Sequence, residues 1–198
     1  MRQVRVELDD GRTEQLTRGG DSFLAADCSP DGTWFAGLAL PPLESVTEFE
    51  SGTLTRFDRK NGQRRALYDG SVTSPRVSPD GKRVAFLYKA DAASPRFRVG
   101  VVSSEGGALQ KSLALPDASV MLLPLIRWTP DGKAIAFADF AGGVSNLVAV
   151  PIDGGKPKQI TQFSIGLIFN FAWSSDGKYL ALSSGSVSSD AVMFTAAH

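Results

Sequence analysis

A short turn phrase recurs four times along this chain of 198 residues, and it restricts the fold more than any other feature. The copies are Ser29-Pro30-Asp31-Gly32, Ser78-Pro79-Asp80-Gly81, Thr129-Pro130-Asp131-Gly132 and Ser174-Ser175-Asp176-Gly177. Each copy leads into a run rich in apolar residues, so the repeated element is a tight turn that feeds a β-strand. The chain is therefore built from repeats, and the repeat length decides which architecture it forms.

The repeat holds four strands. One strand precedes each turn, a second follows it, and Asn61-Gly62, Gly106-Gly107 and Gly154-Gly155 join a third strand to a fourth, because such pairs adopt the positive φ angles of a two-residue hairpin. The first residues of the chain match the second half of this unit. We predict seventeen strands in all, the last at 190–195, and little helix, since prolines and glycines interrupt every longer stretch.

The spacing of the turns predicts an all-β fold. Successive turn aspartates lie 45 to 51 residues apart, the period of β-propeller blades of four antiparallel strands. We predict a single domain over 1–198 with about four blades and a half-blade, as an open arc or a fragment of a ring of roughly six to eight blades. The half-blade is placed at 1–19 and the blades at about 20–69, 70–116, 117–162 and 163–198.

Aligned positions before each turn predict the blade core. Cys28, Val77, Trp128 and Trp173 coincide, which predicts that Trp128 and Trp173 are core residues and that Cys28 is a buried structural thiol. Blades pack face to face, so both faces of inner strands such as 165–173 are expected to be buried. A single cysteine permits neither an internal disulfide nor a thiolate zinc cluster.

Charge is unevenly distributed although the net charge is zero. Ten basic residues of the middle segment could form a patch for an anionic partner: Arg56, Arg59, Lys60, Arg64, Arg65, Arg76, Lys82, Arg83, Arg96 and Arg98. Ordinary charge on exposed turns and outer strands is the stronger interpretation. No nucleic-acid-binding motif occurs, so no nucleic-acid partner is expected. No stretch approaches 18 apolar residues, so no membrane contact is expected within this chain.

Catalytic signatures are missing from the sequence. The only histidine is His198 at the end of the chain, and neither a Gly-x-Ser-x-Gly elbow nor a phosphate-binding loop occurs. We predict no catalytic residues, no cofactor and no enzymatic activity.

Four repeated aspartates suggest a metal site, but turn chemistry explains them better. Asp31, Asp80, Asp131 and Asp176 each precede a glycine, where an aspartate hydrogen-bonds its own backbone two residues on. One aspartate per blade would lie far from the next around a rim, whereas calcium needs six or more oxygens within about 2.6 Å. We therefore assign Asp31, Gly32, Asp80, Gly81, Asp131, Gly132, Asp176 and Gly177 to a structural turn motif, with no metal. Asp27 and Asp139 lie nearer the inner strands and are candidates for lining a channel.

Segments from three of the repeats carry a family resemblance. Residues 77–86 and 128–137 resemble the blade signature of TolB-like propellers, relatives of WD-repeat proteins, and residues 168–183 with 188–192 resemble the closing blade of the propellers at the C-terminus of bacterial Ser/Thr protein kinases. This resemblance implies a non-catalytic sensor or binding module for an unidentified protein or small ligand, located outside the cytoplasm. The same blades resemble the gating propeller of prolyl-oligopeptidase-type peptidases and periplasmic TolB-like interaction propellers. A propeller enzyme with a metal-dependent channel site ranks third.

Partner recognition and self-association are expected at parts of the molecule that the repeat motif does not define, namely its loops and the faces of its end blades. The irregular insertions 41–51, 89–95 and 116–121 are the candidate recognition loops, with ordinary variable connections as the alternative. An open arc exposes the flat apolar faces of its end blades, so self-association through those faces is expected.

Overall fold

The protein is described by a computed structural model that covers residues 4–6, 9, 11–15, 22–40, 52–70, 72–91, 96–115 and 125–186. These residues form sixteen strands: β1 (Val4–Val6), β2 (Thr13–Gln15), β3 (Ser22–Cys28), β4 (Trp34–Leu40), β5 (Thr53–Asp58), β6 (Arg64–Tyr68), β7 (Val72–Val77), β8 (Arg83–Tyr88), β9 (Arg98–Ser103), β10 (Lys111–Ala114), β11 (Ile126–Trp128), β12 (Ala134–Ala141), β13 (Val144–Pro151), β14 (Lys158–Gln159), β15 (Leu167–Trp173) and β16 (Leu180–Gly185). Within these ranges there is no helix. No helix of this part of the chain could therefore cross a membrane.

The strands form antiparallel sheets in sequence order. Strands β3–β6, β7–β10 and β11–β14 make three four-stranded sheets, which we call the first, second and third blades. Strands β15 and β16 pair as the fourth sheet, and β1 pairs with β2. The prediction of an all-β fold with blades of four antiparallel strands is confirmed. The predicted strand at 190–195 lies outside the described residues, as do 41–51, 92–95 and 116–124.

Apolar clusters between neighbouring sheets form the core. Each cluster joins the face of one blade to the facing side of the next. Their largest buried members include Trp34, Leu54, Val84 and Phe86 between the first and second blades, Leu87, Val101, Trp128 and Phe137 between the second and third, and Leu147 and Phe171 between the third blade and the fourth sheet. The second strands β4 and β8 are therefore buried on both faces for almost their whole length, as face-to-face packing requires.

The fourth sheet departs from the expected burial. Strand β15 alternates between buried and accessible side chains, and Ile165 and Tyr179 expose 83% and 72% of their surface. The prediction that both faces of 165–173 are buried is wrong for this sheet. Tyr179 is aligned with Trp34, which the second blade covers, whereas no sheet in the described part of the chain covers the equivalent face of β16.

The aligned positions before the turns differ in burial. Trp128 is buried, its indole N–H donates to the Arg76 carbonyl at 2.9 Å, and the Arg83 guanidinium lies 5.0 Å from its ring centre. Trp173 is half-buried, and its indole nitrogen has no hydrogen-bond partner within the described residues. Cys28 is exposed, so the prediction of a buried thiol is wrong. Repeat position alone does not bury a side chain; a neighbouring sheet has to cover it.

Replacing the two tryptophans separately should reveal this difference in packing. We expect Trp128→Ala to lower the free energy of unfolding by about 3 to 5 kcal/mol, because it leaves a cavity between two blades and removes the hydrogen bond to the Arg76 carbonyl. Trp173→Ala should cost clearly less, since that side chain is half-buried. Urea unfolding followed by far-UV circular dichroism measures both, and an equal loss for the two variants would contradict this packing.

Candidate functional site

The innermost strands carry a row of polar side chains that crosses from blade to blade. Strands β3, β7, β11 and β15 are the first strands of their sheets, each at a free sheet edge, and first strands surround the central channel of a propeller. The residues directly before the aligned Cys28, Val77, Trp128 and Trp173 are Asp27, Arg76, Arg127 and Ala172. We give the name inner-strand row to the three charged residues among them, Asp27, Arg76 and Arg127, together with Asn170.

Irregularities of the backbone orient the side chains of this row. The pairing of the first two strands slips between Leu24 and Asp27 in the first blade, and between Thr73 and Arg76 in the second. A third slip lies between Ile168 and Asn170 in the fourth sheet. Such bulges bend a strand and re-aim the side chains beside them. Ser74 lies in the second bulge at φ 53°, the one positive φ of a non-glycine residue in the described ranges, and such strain is concentrated at functional sites.

The three charged members of the row each make a hydrogen bond to the next sheet. The Asp27 carboxylate accepts a hydrogen bond from the Val77 backbone N–H at 2.7 Å, and Arg76 Nε donates to the Ile126 carbonyl at 3.0 Å. Arg127 Nη2 donates to Asn170 Oδ1 at 3.4 Å, which is long for a hydrogen bond. The row therefore ties the blades together along the channel side and also presents charged groups there.

Positive charge exceeds negative charge in this row. Partial burial raises the pKa of Asp27, while the Val77 N–H and the guanidinium groups of Arg76 and Arg127 act to lower it. Burial lowers the pKa of Arg76, and the nearby Arg127 lowers it further, against the opposing attraction of Asp27. Two guanidinium groups thus share one carboxylate, and in the described part of the chain neither lies within 4 Å of it as an ion pair.

The repeated turns begin two residues after Asp27, Arg76 and Arg127, and they share one geometry. In each turn the aspartate Oδ1 accepts a hydrogen bond from the hydroxyl two residues before it at 2.6 Å and from the backbone N–H two residues after it at 3.0 or 3.1 Å. The following glycine has a φ between 64° and 69°. Ser175, which replaces proline in the fourth copy, leaves this geometry intact. The hydrogen bonds lower the pKa of Asp31 to about 2 and lower those of Asp80, Asp131 and Asp176.

Turns of neighbouring blades stack on one another. A Cβ added to Gly81 would lie 3.5 Å from Pro30, and one added to Gly132 would lie 3.6 Å from Pro79. At Gly177 the same atom would lie only 2.7 Å from Pro130. The turn motif therefore contributes to blade-to-blade packing through its proline and glycine.

Within the described ranges, no three His, Cys, Asp or Glu side chains come together in a group that could hold a metal ion.

The remaining candidates from the sequence are placed as follows. Asp139 lies on β12, one strand outward from the innermost strand, and its buried Oδ1 has no hydrogen-bond partner in the described residues. Cys28 is adjacent to Asp27, and partial desolvation followed by the Asp27 charge raises the pKa of its thiol, which disfavours the reactive thiolate. His198 lies outside the described residues.

Three basic residues of the middle segment make contacts within the fold. Arg56 pairs with Asp58 and Glu105, and Arg65 pairs with the same Glu105. Arg83 donates to the Gly132 carbonyl of the third blade at 3.0 Å. These three arginines hold blades and hairpins together.

Sequence reasoning found Asp27 but missed Arg127, Asn170 and Ser74. For Arg127, the available signal was its place directly before the aligned Trp128. The residues at this position of the four repeats are Asp27, Arg76, Arg127 and Ala172, next to a position that is mostly hydrophobic. Because these residues differ from repeat to repeat, an alignment that looks for similarity passes over them. Ser74 shows itself only through its backbone angle.

Sequence comparisons place the chain among bacterial propellers. The family model described as the lipoprotein LpqB beta-propeller domain matches residues 1–193. The uncharacterized peptidase YuxL of Bacillus subtilis is 27% identical over 118 residues, which make up 54% of this chain and 16% of that protein. The chain thus spans about a sixth of the length of this curated relative.

Structural comparisons agree on the fold. TolB from Acinetobacter baumannii matches with a TM-score of 0.67 and 21% identity, over 91% of this chain and 42% of that one. A putative TolB from Agrobacterium tumefaciens matches with a TM-score of 0.64 and 20% identity, over 87% of this chain and 57% of that one. At these identities the likeness shows the fold alone, and the chain spans about half of each structure.

Acid should weaken the fold through the repeated turns. A pKa that is lower in the folded state contributes stability above the unfolded value of about 3.9, and this contribution is lost as the pH falls through the folded value. We expect unfolding by urea to become easier from about pH 4 down to about pH 2. Asp80→Asn keeps an oxygen acceptor but does not titrate, so this variant should lose less over that window. A loss for Asp80→Asn as large as that of the wild type would refute the role of the turn.

Stacking of the turns can be tested with two glycine variants. Both Gly177 and Gly154 have a positive φ, so alanine strains the backbone at either site, but open space surrounds a Cβ at Gly154. We expect Gly177→Ala to cost about 1 kcal/mol more than Gly154→Ala in urea unfolding, because its methyl group meets Pro130. Equal costs would show that the turns do not pack against each other.

Proposed function

The chain belongs to the family of the lipoprotein LpqB beta-propeller domain, and we propose that it is a non-catalytic binding module of a larger bacterial protein. The observation that carries this proposal is the inner-strand row, which places charged and amide groups at the free edges of four neighbouring sheets. Sheets that are fixed by apolar clusters on their flat faces hold such groups rigidly, and rigid presentation lowers the ordering cost of binding.

A binding role also agrees with how the carboxylates are used. The turn aspartates accept hydrogen bonds from their own turns, and Asp27 accepts one from the Val77 N–H of the next blade. These contacts use the carboxylates as fixed acceptors within the fold. They support a module that presents a surface and does not transform a substrate.

The parent protein and its location belong to the same proposal. The family name refers to a lipoprotein, and fold likeness to TolB supports a site outside the cytoplasm. The resemblance of the last repeat to kinase-associated propellers supports a sensor role at the end of a receptor-type Ser/Thr kinase.

A second candidate function is the gating propeller of a serine peptidase. It is favoured by the 27% identity to the uncharacterized peptidase YuxL. The coding sequence that flanks this chain in its source distinguishes the two candidate parent proteins. A kinase domain with a membrane span supports the sensor, and a downstream nucleophile elbow supports the peptidase.

Selection of displayed peptides tests the binding role while the natural partner is still unidentified. Peptides selected from a random phage library on the purified chain should bind reversibly and stay intact by mass spectrometry. Ala172 is exposed on β15 at the position that follows Asp27, Arg76 and Arg127 in the repeat, so Ala172→Trp should crowd the row and abolish binding. Lys156→Trp, on the exposed β13–β14 hairpin, is the matched control and should bind normally.

Two results would overturn the proposal. Cleavage of the selected peptides would indicate an enzyme, and equal binding by the Ala172→Trp and Lys156→Trp variants would place recognition away from the innermost strands.

A further inference from the structure

We propose that Arg127 and Asn170, with Arg76 beside them, bind the carboxylate group of a monoanionic ligand at the channel side of the third blade and the fourth sheet. This inference rests on the proposed binding function and names the chemistry that the inner-strand row recognises. It commits to a carboxylate, carried either by the C-terminus of a peptide or by a small organic acid.

Charge balance gives the first argument. Arg76 and Arg127 both act on Asp27, and Arg127 acts on Arg76, so the three side chains lie near one another with one excess positive charge. The Asp27 carboxylate accepts a hydrogen bond from the Val77 N–H. It makes no ion pair with either arginine in the described part of the chain. A partly buried cation without a counter-ion attracts an anion, and a single negative charge balances this site.

Incomplete hydrogen bonding of Arg127 gives the second argument. Arg76 donates to the carbonyls of Ile126 and Pro75 at 3.0 and 2.8 Å, so its guanidinium is well used. Arg127 makes one hydrogen bond in the described residues, the long contact of 3.4 Å to Asn170, and its buried Nε has no partner. A guanidinium carries five donors, so most of those of Arg127 are free for a ligand.

Asn170 supplies a second donor in a fixed orientation. Its Oδ1 accepts hydrogen bonds from the Phe171 backbone N–H at 2.8 Å and from Arg127, which identifies the oxygen and directs the amide nitrogen elsewhere. That nitrogen, Nδ2, makes no hydrogen bond within the ranges the structure describes. Asn170 is exposed, so a ligand can reach its N–H group.

Charge favours a carboxylate over a phosphate, because a guanidinium can bind either group through two hydrogen bonds. The Arg127 guanidinium carbon lies 5.8 Å from the centre of the Phe171 ring, a contact that helps to hold its planar group in place. A planar guanidinium binds a planar carboxylate through two parallel hydrogen bonds. A phosphate dianion would reverse the net charge of the row instead of neutralising it.

The test follows the arginine Nε–H signals of the whole chain by two-dimensional ¹H–¹⁵N NMR during titration. The probes are N-acetyl-trialanine with a free C-terminal carboxylate, the same peptide as its C-terminal amide, acetate, and inorganic phosphate, all at one ionic strength. The Arg127 signal is assigned by its absence from the spectrum of Arg127→Gln. We expect this signal to shift saturably with the free carboxylate peptide and to stay unchanged with the amide.

Variants locate the site. Arg127→Gln should weaken binding of the carboxylate peptide about tenfold or more, as expected for a charged hydrogen bond, and Asn170→Ala should weaken it about threefold. Lys133→Gln removes the same charge from an exposed turn of the same blade and should leave the affinity unchanged. Thermal melts verify folding, and if Arg127→Gln does not fold, Asn170→Ala and the amide comparison decide.

The affinities of the probes and variants identify the source of the carboxylate and test the inference. Tighter binding of the peptide than of acetate supports a peptide C-terminus, and equal binding supports a small organic acid. Equal binding of amide and carboxylate, tighter binding of phosphate, or unchanged affinity in both site variants overturns the inference. If displayed peptides still bind at the innermost strands in that case, the binding function stands and the carboxylate assignment alone fails.

Discussion

Apolar packing between the flat faces of neighbouring sheets is the constraint on which this molecule depends. It buries both faces of strands such as β4 and β8 over almost their whole length, so these strands are mostly apolar. The turns at the sheet ends and the first strands at the inner edge lie outside the packed faces and can carry polar side chains. The turn motif and the inner-strand row are two consequences of this one arrangement, because each occupies a place that the packed faces leave accessible.

Local chemistry made the strands and turns predictable. A hydroxyl, an aspartate and a glycine at fixed spacing satisfy the backbone of one turn without help from elsewhere, so the sequence predicts all four copies even where Ser175 replaces proline. Burial was predicted less well, because it depends on a neighbouring sheet. Cys28 has a core position in the repeat, yet it is exposed.

The candidate site was the least predictable part for a physical reason. Repeats resemble one another where they serve the fold, and a ligand that contacts several blades meets a different residue from each. Asp27, Arg76, Arg127 and Asn170 have unlike side chains on neighbouring strands, and only the assembled sheets show that three of them share one electrostatic environment. Specific recognition in such a protein therefore depends on the positions where the repeats differ.

Every apolar cluster between sheets joins two sheets that are adjacent in sequence. Among the described residues, the second and third blades are each held by two such clusters, whereas the first blade and the fourth sheet are each held by one. In a row of nearest-neighbour contacts, the stability of each unit is set by the interfaces it makes. Local opening therefore costs less at the first blade and at β15 and β16 than at the second and third blades, so amide hydrogen exchange would show the strongest protection in the middle of the row.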